Sequence, residues 1–256
     1  MISQYSNPED IDREFWKDHA KAKYWLKKHT SRNSQLEKMM NDGGWDVFDM
    51  KRNYCFSEPV YYQSPTTGNR WLTYLCSKNN EGFHMYIRTV LYFYTEKYMT
   101  IMIPITSIDD EDEHYTNGIN IYTSHMFQRM ADPERLGVDM SDRVKVIRNF
   151  TEFVATGWSD TRPPKEGERH TQIMIRTPGS WIRGHTVKVG DRFVNIYRTF
   201  YTDRSMTPQQ RKDVKSFKKF ADGKLAAIQS PDKGRSEDGE AVKEITKQII
   251  DKDKWK

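Results

Sequence analysis

"RWLTYLCSKNNEGFHMYIRTVLYFYTEKYMTIMIPIT", residues 70–106, decides the fold class. Aromatic and β-branched residues fill three runs, "RWLTYLCS", "FHMYIRTVLYFYTE" and "KYMTIMIPIT", with turn signals between them. In the last run Met99, Ile101, Ile103 and Ile105 alternate, so they fall on one face of a strand. This pattern predicts an antiparallel meander packed on one side. Just upstream, "YCFSEPVYYQ" (54–63) predicts a further strand and "SPTTGN" (64–69) a hairpin loop.

Outward from this block the signals turn helical. Asn7-Pro8 is a helix start, with Pro in the first turn and Glu9, Asp10 and Asp12 near the positive helix end. Ile11, Phe15, Ala22, Trp25 and Leu26 then recur at helical spacing. A shorter helix is expected over "SRNSQLEKMM" (31–40), stopping at Gly43-Gly44. On the other side, "DDEDEHYTNG" (109–118) reads as an acidic loop. Thr123 or Ser124 then caps a helix running through Arg129 or Met130. Ser141 caps the next, whose Val144, Ile147, Phe150 and Val154 form an apolar stripe. A charged loop, "SDTRPPKEGER" (159–169), leads to the strands "HTQIMIRT", "WIRGHTVKVG" and "RFVNIYRTFYT". Thr207, Pro208 and Gln210 then fit a capping box.

Segregated runs of helices and strands predict an α+β fold rather than an alternating parallel one. The expected architecture is antiparallel sheet material with helices on one side, an N-terminal helical region and a C-terminal helical tail. Three segments follow: a helical region over 1–44, a main α+β domain over 45–222, and a charged tail with a short helix over 223–256.

Charged residues make up 30% of the chain and the mean hydropathy is −0.89, yet aromatics at 13% supply material for a core. No apolar run is long enough to span a bilayer, and "MISQYSNPEDIDREFW" carries no secretory signal pattern. Cys55 and Cys76 are the only cysteines and form no CxxC pair, which fits reduced thiols and a cytoplasmic location. From Arg204 onward 14 Lys and Arg face 9 Asp and Glu, which accounts for the whole net charge of +5. That basic end suits either a polyanion partner or a solvated helix.

Known reaction motifs are missing. HExxH, EF-hand, Walker A, GxGxxG and GxSxG patterns do not occur, so neither metal nor cofactor is expected. What remains is a set of histidines and arginines in elements that are otherwise apolar. His125 and Arg129 are four apart on one helix face, beside the apolar Met126, Phe127 and Met130. Alternation puts Arg183 and His185 on one strand face, and His170, Gln172 and Arg176 opposite Ile173 and Ile175. Arg198 alternates with Tyr197 and Thr199. RNA cleavage needs a base for the 2′-hydroxyl, an acid for the leaving oxygen and cations for the phosphorane. In this reading His125 is the acid/base, His185 a second proton carrier, and Arg129, Arg183 and Arg198 bind phosphate. The bland alternative makes His125 a helix-turn histidine and the arginines surface charge.

The stretch from His125 to about Gln210 resembles RelE-like and BrnT-like ribonuclease toxins. The likeness is carried by Ser124, His125, Arg129, Met130 and Arg135, by the helix after Ser141, and by Thr199 and Gln209-Gln210. It covers about a third of the chain, and Pro133 interrupts the pattern. The resemblance implies RNA cleavage, with His125 and Arg129 near the site. A second reading is a non-catalytic protein that binds nucleic acid or another protein partner. It would use the basic tail, an aromatic surface or the "DDEDE" loop.

Overall fold

A computed structural model describes residues 6–32, 54–56, 59–79, 83–95, 99–108, 115–155, 158–159, 168, 170–177, 179–212 and 214–215. Those up to Ile121, with Val189–Val194, form one compact unit. Those from Tyr122 to Lys188, with the residues from Asn195 on, form another. The fold is α+β. The expected helix over 31–40, the "DDEDE" run and the tail from 223 lie outside the described residues, except that Ser31 and Arg32 end the first helix. Among the described residues no helix is long and apolar enough to cross a membrane.

The first unit holds α1 (Pro8–Arg32), β1 (Tyr54–Phe56), β2 (Val60–Gln63), β3 (Arg70–Asn79), β4 (Phe83–Tyr94), β5 (Met99–Ile108) and most of β6 (Tyr115–Tyr122). Its strands run β1-β3-β4-β5-β6, with β2 also on β3. The ladders of β1, β2 and β4 on β3, and of β5 on β4, are all antiparallel. "YCFSEPVYYQ" holds two strands rather than one, and Pro59, just ahead of the second, has no N–H to give a ladder. Tyr115 to Gly118, expected in the acidic loop, begin β6. Its alternation is hidden by Gly118, whose missing Cβ is the space that the Phe193 ring fills.

Asn7 starts α1 as its sequence suggests, accepting a hydrogen bond from the Asp10 N–H at 2.8 Å. Ile11, Phe15 and Ala22 are buried. Phe15 lies 5.0 Å from Trp71 on β3, and Trp25 lies 5.8 Å from Tyr62 on β2. Tyr62 and Trp71 are register partners, so α1 covers the face of the sheet that carries both. Asp18, fully buried, accepts hydrogen bonds from Ser64 Oγ, Thr67 Oγ1 and Asn69 Nδ2. The helix thereby grips the "SPTTGN" loop, which forms the expected hairpin: Ser64 N–H donates to the Asn69 carbonyl at 2.9 Å.

His19 is buried among Phe15, Trp16 and Trp71, and its Nε2 has no hydrogen-bond partner. Burial, aided by the Lys23 charge, lowers its pKa to about 4. Between pH 6.5 and 4 the unfolded chain therefore binds a proton that the folded chain refuses, so stability falls with falling pH. At about 1.4 kcal/mol per unit the loss approaches roughly 3 kcal/mol across that window. Urea unfolding at pH 7 and pH 4.5 should show a drop that is much smaller in His19→Phe. An equal drop in both proteins counts against this assignment.

The second unit holds α2 (Ser124–Ala131), α3 (Arg143–Ala155), β7 (Trp158–Ser159), β8 (Thr171–Thr177), β9 (Ser180–Val189) and β10 (Arg192–Thr202). β9 lies in it up to Lys188, and β10 from Asn195 onward. Its strands run β10-β9-β8-β7, and the β7–β8 and β8–β9 ladders are antiparallel. Tyr122 stacks on Tyr197 at 4.9 Å and meets Phe150 edge-on at 4.8 Å, while Phe127 meets Phe150 at 5.0 Å. The helices thus bury the sheet face that carries Tyr197.

The helix starts differ from expectation in an instructive way. Thr123 sits at the N-cap of α2 but makes no side-chain cap, because its hydroxyl donates to the Tyr197 carbonyl at 3.0 Å. Asp142, not Ser141, caps α3, accepting from the Lys145 N–H at 3.0 Å. A carboxylate is the stronger acceptor at the positive helix end. Ser141 instead donates to Asp139. The capping box at Thr207 forms in full: Thr207 N–H donates to Gln210 Oε1 at 2.8 Å, and Gln210 N–H to Thr207 Oγ1 at 3.2 Å.

Candidate functional site

The β8–β9 register pairs Gln172 with His185, Met174 with Arg183 and Arg176 with Trp181. Those six side chains therefore share one face, and Ile173, Ile175, Ile182 and Thr186 share the other. On β10, Asn195 and Tyr197 belong to the second set, since Asn195 Oδ1 accepts from the Thr186 hydroxyl at 2.7 Å. Alternation then turns Arg198 to the face of His185. The helix-covered face is apolar apart from the buried Thr186–Asn195 pair, and the opposite face is where cationic groups collect.

That face is polarised along its length. At one end Arg176 is committed to structure: it forms an ion pair with Asp203 at 3.0 Å and lies 4.6 Å from the Trp181 ring. Trp181 Nε1 also donates to Asp203, at 2.8 Å. Trp181, Tyr201, Met206 and Val214 close this end as a small apolar cluster with Met174 against it. At the other end Gln172 and Arg198 are exposed, and Arg183 and His185 are half-buried.

His170, just ahead of β8, meets His185 edge to face with ring centroids 5.9 Å apart. The His185 pKa is lowered, first by burial, then by the charge of Arg198, then by His170. All three causes disfavour the protonated ring, so His185 is neutral at pH 7 and ready to accept a proton. Two imidazoles and a guanidinium within electrostatic reach of one another can take up a proton, release another and hold an anion.

Of the residues singled out from sequence, the structure gathers His185 and Arg198, and places Arg183 on the same face. His125 is exposed on α2 and Arg129 is half-buried one turn later. Among the described residues neither has a hydrogen bond, ion pair or ring contact with His170, His185 or Arg198. The group includes His170, which alternation puts with Gln172 and Arg176 and to which the sequence assigns no role. The signal was available: pairing "HTQIMIRT" with "WIRGHTVKV" brings the two histidines to one end of the hairpin. Among the described residues no cluster of three His, Cys, Asp or Glu could hold a metal ion. Comparison with family models, curated proteins and solved structures finds no match.

Proposed function

We propose that the second unit cleaves single-stranded RNA by acid–base chemistry on the face that carries His170, His185 and Arg198. The observation that carries this reading is the His170–His185 contact beside Arg198. His185 takes the proton from a ribose 2′-hydroxyl, whose oxygen then forms a bond to the adjacent phosphorus. The bond from phosphorus to the 5′-oxygen breaks, and His170 supplies the proton that this oxygen needs. Arg198, with Arg183, balances the extra negative charge on the phosphorane. The resemblance of residues 125–210 to ribonuclease toxins supports RNA as the substrate class. The exposed position of His125, apart from this group, favours a second reading: an RNA-binding face without cleavage.

The test is labelled RNA with purified protein in EDTA. General acid–base groups each contribute about 100-fold or more. His185→Ala and His170→Ala should each lose that much, and His125→Ala much less. RNA bound but left whole by the unaltered protein selects the second reading. Cleavage unaffected by His185→Ala sinks the first.

The acid limb of the rate profile gives an independent check. Because Arg198 helps to lower the His185 pKa, the rate should fall only below pH 6.5, and Arg198→Gln should move that limb to higher pH. A limb that stays in place shows that another group titrates.

A further inference from the structure

We propose that the first unit binds single-stranded nucleic acid on a rim of its sheet formed by Tyr61, Arg70 and Tyr94. The ladders pair Tyr61 with Leu72 and Gln63 with Arg70, and Leu72 with Val90. Alternation therefore puts Tyr61, Arg70, Tyr92 and Tyr94 on the face opposite Tyr62 and Trp71, away from α1. The middle of this face, at Leu72, Val90 and Ile101, is buried. Its rim is open: Tyr61 is 55% exposed and Tyr94 45%, and Arg70 is exposed beside them.

These groups form one patch rather than scattered rings. Tyr94 stacks on Tyr92 at 5.6 Å with planes 12° apart. Because Trp71 pairs with Leu91, Arg70 falls opposite Tyr92 across the β3–β4 ladder, and Tyr61 lies beside Leu72 on β2 on the same face. An exposed tyrosine held by a stacked neighbour offers a rigid face to a flat, partly polar ligand, with little side-chain entropy left to lose. A cation among such rings adds attraction for a phosphodiester. Unpaired bases joined by phosphates match both features, whereas a duplex hides its base faces.

The proposal is independent of the cleavage reading, and oligodeoxythymidine separates them because it has no 2′-hydroxyl to react. Fluorescence anisotropy of a labelled 12-mer with the full chain should show binding that weakens with salt. Tyr61→Ala combined with Tyr94→Ala should weaken it tenfold or more, while the Tyr→Phe pair at both positions retains it, since the ring faces remain. Arg70→Gln should reduce the slope of log affinity against log salt by about one. Far-ultraviolet circular dichroism should be unchanged in all variants, as these side chains are exposed. No binding by the unaltered protein, preference for a duplex, or equal affinity in the alanine pair overturns the proposal. Self-association abolished by the alanine pair, with oligonucleotide affinity unchanged, would assign the patch to a second copy of the chain instead.

Discussion

Asp18→Ala should destabilise the protein by about 3 to 5 kcal/mol, a large part of what holds a domain folded. The side chain is fully buried and accepts three hydrogen bonds, from Ser64 Oγ at 2.9 Å, from Asn69 Nδ2 at 3.0 Å and from Thr67 Oγ1. Alanine removes the acceptor and leaves three donors without it, two of them, on Ser64 and Asn69, in buried residues. Ser64 keeps a fallback in Thr66, 3.1 Å away, but Asn69 is itself fully buried. Asp18→Asn should cost less, because one oxygen still accepts while the new NH2 faces donors. Thr66→Ala, at the exposed tip of the same loop, should cost under about 1 kcal/mol. Urea unfolding of the full chain measures all three. An Asp18→Ala cost no greater than that of Thr66→Ala would show that the loop does not depend on this carboxylate.

Asp18 also marks where sequence reading stops. The apolar members of α1, Ile11, Phe15 and Ala22, were legible because burial repeats at helical spacing. Asp18 breaks that repeat, and its reason lies about fifty residues away in a loop whose own type was legible from "SPTTGN". The strand blocks 70–106 and 170–202 were likewise readable, since alternation and turn residues are local properties. Local signals misled where a distant acceptor or ring competed. Thr123 turned its hydroxyl to Tyr197 instead of capping α2, and Gly118 hid a strand because Phe193 takes its side-chain space. The candidate site divides in the same way. Strand alternation groups Arg183 with His185 on one face of β9, while the face of Arg198 relative to them depends on how β10 pairs with β9, as the Thr186–Asn195 bond shows. Which histidine meets His185 depends on hairpin register, and helical spacing around His125 carries no information about that.

Gly184→Ala should cost about 3 kcal/mol or more and should disturb the histidine face as well. A Cβ at Gly184 would lie 2.1 Å from the Ile196 carbonyl oxygen, 2.8 Å from its carbon and 2.9 Å from Tyr197 Cα. All three atoms are backbone, so no side chain can swing away. Relief requires β9 and β10 to separate where His185 follows on one strand and Arg198 on the other. Two readouts therefore move together. Urea unfolding should show the loss of stability, and NMR titration should show the His185 pKa rising toward 6.5 as burial and the Arg198 charge weaken. Gly190→Ala in the adjoining turn separates sterics from backbone conformation. Gly190 has φ of 62° with nothing within 4 Å of its Cβ position, so it should cost only about 1 to 2 kcal/mol and leave His185 unshifted. Equal costs at the two glycines would mean that the hairpin spreads freely at Gly184. In that case a site made from His185 and Arg198 would lack the rigid support that acid–base chemistry requires, because a proton carrier displaced by about 1 Å loses much of its rate advantage.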